Sequence, residues 1–483
     1  MPSVFRAPSL AALAIAFEAC GNPFALPSQL PFLANVNGAQ SPSGGVGSKI
    51  LLSGYTFRDV KGSSEVLFTD ANGIPNVASP ITFAADWADT YILATVPTGS
   101  VTGFVVVRTA AGTSVGKPFA VQGAIPTAPL TPSAVSWTQS GSSLATAVSG
   151  NAVAFAQLAL SGTADTEFVY SAGGADNAGN PTTGVYSAGV ATNGTLQAWT
   201  STGSGLPALA YAAAVAATPR NSYVQQTGYL YVLGGVNASG QTVAPIYSAP
   251  LNANGTVGAF TQSAVSLPAP LRSFGAMVYL GSLYVVGGAT TGNTAVATVY
   301  RSPIGVDGTL GAWKVQTGSL PGPRARLGIG AFGLYLYAVG GDSAALSPTD
   351  TGTTKSSSAL FFGRLDPSTH EVASWTSTGA LDVPRSAHSV VISGGNILVT
   401  GGLYAGALTG TREASYAAIN ADGTVGAFAA ATGTNTIRLL CSCSVFNHGA
   451  TGYLAGNGSF HVLVAGGDNV NAPGVKRTGA FTY

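Results

Sequence analysis

Six times in this chain an apolar run ends in a pair of glycines, and that recurrence limits the fold more than any other feature of the sequence. The pairs are Gly173-Gly174, Gly234-Gly235, Gly287-Gly288, Gly340-Gly341, Gly401-Gly402 and Gly466-Gly467. Their first members are 61, 53, 53, 61 and 65 residues apart. An interval of that size is one supersecondary unit, and units repeated at such intervals bury their apolar faces by stacking on one another. The residues before the pairs are strand formers, as in 229–233 (YLYVL), 282–286 (SLYVV) and 334–339 (LYLYAV). An aromatic follows at a near-constant distance: Trp199, Phe260 and Trp313 lie 25 residues past the second glycine, and Phe428 lies 26 past. Trp375 lies 34 past, so that unit carries an insertion. Just ahead of the aromatic stands a turn, Asn193-Gly194-Thr195, repeated at Asn254, Asp307 and Asp422. Asn-Gly and Asp-Gly favour two-residue hairpin turns with positive φ at both positions, so each is expected to join two antiparallel strands.

The sixth unit lacks its second half, because only sixteen residues follow Gly467. The missing strand can come from the other end. Trp137 followed by Ser142-Ser143-Leu144 matches Trp313 followed by Gly318-Ser319-Leu320. Residues 133–144 are therefore expected to complete the last unit and leave no sheet edge open. The glycine pairs, the spaced Tyr and Trp, and Leu-Pro before new units (Leu206-Pro207, Leu267-Pro268, Leu320-Pro321) resemble kelch repeats. The resemblance implies a six-bladed β-propeller over 133–483, with the glycines and aromatics as packing residues.

Upstream, 32–122 reads as short alternating strands separated by turns, the pattern of a small β-sandwich. Ser41-Pro42-Ser43-Gly44-Gly45, the run 50–57 (ILLSGYTF), Trp87-Ala88-Asp89-Thr90 and the strand 103–107 (GFVVV) resemble an IPT/TIG domain. That resemblance implies an immunoglobulin-like fold, commonly a spacer or adhesion module on exported bacterial proteins. Residues 123–132 hold prolines and no charge, as a stiff linker does. The expected fold class is thus all-β: an Ig-like sandwich, then a six-bladed kelch-type propeller closed by an N-terminal strand.

The first residues, 1–31, place Arg6 before the apolar run Leu10 to Phe17, the order of an export signal. Ala19-Cys20 resembles a bacterial lipoprotein cleavage site, which makes Cys20 a lipidation candidate, although Phe17 and Glu18 depart from that pattern. The same segment would serve as a docking peptide if the protein were a virion appendage. Cys441 and Cys443 would share one face of a strand, where a disulfide is geometrically poor; buried thiols are expected.

Composition excludes some functions. Charged residues are 8% of the chain, against about 25% in an average protein. Lys+Arg 19 against Asp+Glu 18 leaves +1, and no Lys or Arg occurs between Lys117 and Arg220, so a phosphate-binding stripe is not expected. No apolar run reaches the length of a membrane-spanning helix. The four histidines, His370, His388, His448 and His461, do not sit at metal-ligand spacing and read as structural. Galactose oxidase, a kelch-propeller family with an Ig-like partner, needs two histidines, two tyrosines and a Cys–Tyr crosslink; its motifs are not found around Cys441, Cys443 and His448. Carboxylate pairs for glycoside chemistry are not evident either.

The expectation is a protein without cofactor or metal and without catalysis. It would present its propeller to a carbohydrate or protein partner, outside the cell or at its surface. The alternatives are the receptor-binding head of a virion and a galactose-oxidase-like or glycan-acting enzyme. The binding candidates are Arg272, Arg324, Arg326 and Arg385, which recur where new units begin. If they share a register they would form one carboxylate-binding face, with Arg438 as a further member. The competing reading is that they hold loops by bonding to carbonyls.

Overall fold

The structure, a computed structural model, describes residues 30–36, 43–47, 49–70, 72, 74–81, 86–101, 103–122, 138–139, 142–158, 166–191, 193–217, 228–279, 281–305, 307–332, 335–344, 355–366, 369–393, 396–404, 414–420, 422–430, 445–454, 460–469, 472–476 and 480–482. Cys20, the rest of the N-terminal segment 1–29, the linker 123–132, Arg438, Cys441 and Cys443 lie outside these residues. The fold is all-β, with no α-helix among the described residues. None of these residues forms a helix long and apolar enough to cross a membrane.

Residues 30–122 build two sheets. One orders Phe32–Val36, Lys49–Tyr55 and Tyr91–Thr95, with the longest strand in the middle. The other is centred on Gly103–Thr109, which pairs with Glu65–Thr69 on one side and Lys117–Gln122 on the other. Alternate residues of both sheets, among them Ile50, Leu52, Val66, Phe68, Ile92, Val105 and Val107, meet in one buried cluster that Trp87 joins. The Trp87 indole N–H donates to the Phe57 and Arg58 carbonyls, which satisfies the polar end of a buried aromatic.

Of the sheets that follow, six are antiparallel with four or five strands each, and in the first five of these the strands lie in chain order. Their first strands are Ala152–Leu158, Ala213–Ala217, Gly275–Tyr279, Gly328–Phe332, Ser389–Ser393 and Gly449–Leu454. The fourth strands of four of them are two residues long and follow the repeated aromatic directly: Thr200–Ser201, Thr261–Gln262, Lys314–Val315 and Ala429–Ala430. The fourth sheet differs: its insertion falls between its second and third strands, where Val339 pairs with Leu360, and its fourth strand, Val372–Ser386, is 15 residues long. In the sixth sheet Thr138–Gln139 supplies the outer strand, pairing Thr138 with Thr482 and Gln139 with Phe481. Each first strand lies beside the first strand of the next sheet, and Gly449–Leu454 of the sixth lies beside Ala152–Leu158 of the first.

The turns differ from the expected type. At Asn252–Thr256 only Gly255 has positive φ; Asn254 does not. The Gly255 N–H donates to the Asn252 carbonyl, and the Asn252 N–H donates to the Thr256 carbonyl. This is a type I turn with a left-handed glycine bulge. The Asn254 Oδ1 accepts from the Thr256 N–H and hydroxyl, which is why Asn or Asp precedes Gly-Thr in all four copies. The preceding sheet uses the same turn as an anchor. The Tyr231 hydroxyl donates to the Gly308 carbonyl at 2.6 Å, and Tyr337 to Gly423 at 3.0 Å. An aromatic ring covers the turn glycine in several copies, Phe168 over Gly255 and Tyr229 over Gly308. His461 takes that place over Gly194, which seats it between the sixth and first sheets.

The glycine pairs are explained by what they touch. The second glycine donates its N–H to a carbonyl of the following sheet: Gly174 to Leu209, Gly235 to Leu271, Gly288 to Arg324, Gly341 to Arg385 and Gly467 to Val148. At Gly287, φ is 62° and an added Cβ would stand 2.4 Å from the Arg324 carbonyl oxygen, a backbone atom that cannot yield. At Gly240 φ is also positive, but nothing lies within 4 Å.

The outer face of the three-stranded N-terminal sheet is also covered. Leu51 is 1% exposed, though its neighbours Ile50 and Leu52 are the residues that face the local core. It belongs to the buried cluster between the third and fourth of the six sheets, with Tyr279, Val286, Leu336 and Trp375, and Tyr91 and Leu93 pack there too.

Two predictions follow from these contacts. Gly287→Ala should destabilise by about 2 kcal/mol or more, because left-handed strain adds to a backbone clash, whereas Gly240→Ala should cost only about 1 kcal/mol; equal shifts in urea midpoints would contradict this. Leu51→Lys should leave both units folded but free the N-terminal sheets, so that calorimetry resolves two transitions; one unchanged transition would show that the contact holds nothing.

Candidate functional site

Each of the six sheets begins with a residue in left-handed conformation immediately ahead of its first strand. These are Gly150, Tyr211, Ser273, Arg326, Ala387 and Asn447, with φ between 50° and 60°. Their backbones form a closed cycle. Tyr211 N–H donates to the Gly150 carbonyl, Ser273 to Tyr211, Arg326 to Ser273, Ala387 to Arg326, Asn447 to Ala387, and Gly150 back to Asn447, at 2.7–3.0 Å. The residue just before each cycle member pairs with the residue just after its own sheet's glycine pair, as Arg272 does with Ala289 and Ala325 with Asp342. One end of the six-sheet body is therefore defined by three layers of equivalent positions.

The four candidate arginines all fall at this end but in three different registers, which corrects the single face anticipated for them. Arg324 and Arg385 precede a cycle member by two residues, Arg272 precedes one by one residue, and Arg326 is itself a member. Arg385 is fully buried. Its Nη1 donates to the Gly401 carbonyl and its Nη2 to Ser415 Oγ, with Asp382 at 3.6 Å. Arg324 donates to the Pro323 carbonyl and the Ser357 hydroxyl and lies over the Phe361 ring, 5.3 Å from its centroid. These two fasten strands together, as the competing reading held. Arg272 and Arg326 are buried as well, 2% and 6% exposed. Arg326 Nε donates to Asp342 Oδ2 at 2.6 Å in a buried ion pair, and Arg272 Nη2 donates to Asn293 Oδ1. Burial, with the neighbouring Arg326 charge second, lowers the Arg272 pKa.

The structure adds residues that the sequence reading did not single out. Tyr211 lies with its ring on the Gly150 backbone, where an added Cβ would be 2.5 Å from Tyr211 Cδ1. Its hydroxyl is near Ser149 and within electrostatic reach of Asp468, Arg326 and Arg272, and burial is the main cause of its raised pKa. Asn447 Nδ2 donates to Asp468 Oδ2 at 3.2 Å. The fourth and sixth sheets thus share one device: the cycle member's side chain bonds the aspartate that follows its own glycine pair. That device has a signal in the sequence, Gly-Gly-Asp at Gly340 and Gly466 alone among the six pairs. Tyr211, Ser273 and Asn447 remain partly exposed.

His388 and His448 come directly after the cycle members Ala387 and Asn447 and are both buried. Burial, with the Arg385 charge second, lowers the His388 pKa to about 3; burial lowers that of His448 to about 4. Thr400 Oγ1 stands 3.1 Å from His448 Nε2. Neither imidazole is placed to exchange protons with a ligand near neutrality. His370 lies in a turn, where its carbonyl accepts from the Tyr284 hydroxyl. Among the described residues no group of three or more His, Cys, Asp or Glu could hold a metal ion.

The two histidines set an acid limit. Below the unfolded pKa of about 6.5 the unfolded chain takes up protons that the folded chain refuses until pH 4 to 3, so stability falls as pH drops through that window. His388→Leu should flatten the decline by about 1.4 kcal/mol per pH unit between pH 6 and pH 4.5. Denaturant titrations across that range check it, and parallel slopes for both proteins would exclude His388 as a source.

In comparisons with known proteins, no family model matches this chain and no curated protein matches it.

Proposed function

We propose that this chain is a non-enzymatic binding protein of a cell or matrix surface, in which an immunoglobulin-like sandwich of IPT/TIG type carries a six-bladed kelch-type propeller. In this reading the six sheets are the blades, Thr138–Gln139 closes the last of them, and the ligand, a carbohydrate, sits at the mouth marked by the hydrogen-bond cycle. The observation that carries it is the placement of three polar or aromatic side chains, Tyr211, Arg326 and Asn447, on left-handed backbone at that mouth. Such backbone is costly for side chains larger than glycine, by about 1 kcal/mol or more each, and persists where the surroundings impose it; functional sites are the usual place. The other three members are Gly, Ser and Ala, so the cycle itself does not demand large residues.

Binding without chemistry fits the state of the candidate acids and bases. Asp342 is held by Arg326, Asp468 by Asn447, and both histidines at this end are buried and neutral. The two histidines, with their pKa values pushed down by burial, are not poised to move protons at neutral pH.

The test is an array of glycans and extracellular-matrix proteins probed with the purified full-length chain, followed by product analysis of whatever is bound. Retention of a glycan that is recovered unaltered is the expected outcome. Turnover of the bound glycan would replace this reading with an enzymatic one, and binding confined to proteins would remove the carbohydrate.

A further inference from the structure

We infer that the N-terminal sandwich carries a self-association surface, the outer face of its second sheet, and that the partner is the same face of a second copy of this chain. Exposed apolar side chains are concentrated on this small unit: of the eight large ones exposed among the described residues, all but Val315 lie between residues 30 and 115. Four of them gather at one end of the second sheet. Phe104 is 49% exposed and Val115 82% exposed, and Gly116, next to Val115, lies against Phe104, where an added Cβ would stand 3.1 Å from Phe104 Cβ. The Thr69 hydroxyl bonds both backbone groups of Phe104, the Thr69 carbonyl accepts from the Val101 N–H, and the Asp70 N–H donates to the Ile74 carbonyl. Ile74 and Val101, both exposed, therefore stand at the Phe104 end of the sheet.

The face beside these residues is built like an interior. Val66, Phe68, Val105 and Val107 point into the sandwich, so the alternate residues Glu65, Leu67, Phe104, Val106 and Arg108 point away from it. An antiparallel sheet whose outer face meets only water ordinarily carries polar side chains there. Here the middle of the face is Leu67 beside Val106, with the exposed Ala78 opposite Leu67. The first sheet shows what such a face does in this protein: its outer residue Leu51 is covered by the six-sheet body. The second sheet forms the other side of the sandwich and faces away from that contact, so a partner can reach it without meeting the six sheets.

Charge selects the occupant. Among the described residues, the charged side chains on this face are Glu65 and Arg108, opposite one another in the register and ion-paired, their side chains 37% and 51% exposed. One carboxylate beside one guanidinium offers no net sign to a charged partner, but it is complementary to itself. A half-turn about an axis along the strands, between Glu65–Thr69 and Gly103–Thr109, brings each Arg108 over the partner's Glu65 and sets the two Phe104 ends together. Four strands, Lys117–Gln122, Gly103–Thr109, Glu65–Thr69 and Pro75–Ala78, make up the face. At strand spacings of about 4.8 Å and a rise of about 3.4 Å per residue it spans roughly 300 Å², less than half of the about 800 Å² per partner in a stable complex. The pairing is therefore weak in solution and is strengthened where tethered copies raise one another's local concentration.

Sedimentation equilibrium of the purified full-length chain over a range of concentrations is the test. It should show a reversible monomer–dimer equilibrium with a dissociation constant on the order of 100 μM. Phe104→Lys should weaken pairing by about tenfold or more with an unchanged melting temperature, because the side chain it replaces is exposed. Glu65→Arg and Arg108→Glu should each weaken self-pairing by about threefold or more, while an equimolar mixture of the two variants pairs as tightly as the parent chain. An ion pair that acted only within one copy would not be restored by mixing. A monomer at every concentration up to about 1 mM, a dimer that Phe104→Lys leaves intact, or a mixture that pairs no better than either variant alone would overturn the inference. None of these outcomes bears on glycan binding by the six-sheet body, which the array tests separately.

Discussion

Six backbone hydrogen bonds, passed from Gly150 through Tyr211, Ser273, Arg326, Ala387 and Asn447 and back, are the constraint on which the rest of the larger body depends. A cycle of that kind has no slack. Each residue must present its N–H to one neighbour and its carbonyl to the other, and left-handed φ is the geometry that turns the chain from the loop into the first strand while doing so. Once the six members are fixed, the starts of the six first strands are fixed with them. The glycine pairs then lie against the carbonyls two residues ahead of the next member, and only glycine leaves room for that approach. At the outer side of the second and fourth sheets the same logic recurs with side chains: a tyrosine hydroxyl caps a turn carbonyl of the next sheet.

Charge is distributed to suit this frame. The six first strands contain no Asp, Glu, Lys, Arg or His, and pack closely; Gly328 sits where a Cβ would strike Val390, and Gly449 where it would strike Val153. Ionisable groups gather where the strands begin, at the cycle. There a buried arginine is expensive unless its nitrogens find acceptors, and Arg385 finds a carbonyl, a hydroxyl and a nearby carboxylate. Burial keeps His388 neutral, and the Arg385 charge beside it adds to that effect. All four arginines brace this end from within, in three registers: Arg324 and Arg385 between strands, Arg272 on Asn293 and Arg326 on Asp342.

That offset explains what was legible in the sequence. The all-β class, the strands before each glycine pair and the completion of the last unit from residues 133–144 could be read from spacing alone, because repeated local chemistry leaves a repeated trace. The turn type was misjudged at Asn254, since Asn-Gly is compatible with two hairpin geometries and the partner bond from Thr256 decides between them. The arginines looked equivalent because proline-arginine recurs, yet one residue of shift along a strand reverses the face a side chain occupies. Tyr211 left no trace at all: its ring rests on the Gly150 backbone of another sheet, and such a contact is invisible along the chain. The cover on Leu51 is the same kind of fact, an apolar residue on the outer side of its strand whose partner is more than two hundred residues away.

The pairing of Thr138–Gln139 with Ala480–Thr482 has a consequence for how the protein is made. At ribosomal speeds of roughly 5–20 residues per second, the early strand waits on the order of tens of seconds for Thr482, its partner far along the chain. During that time the first five sheets can assemble one upon another, and the sixth cannot. The nascent molecule is an open arc with two unsatisfied faces, one on each flank, each suited to the other and equally suited to the corresponding flank of a second nascent copy. Avoiding that mispairing is a matter of timing: closure within one chain must outrun encounter between two, and the tether that joins the two flanks supplies the high local concentration that lets it.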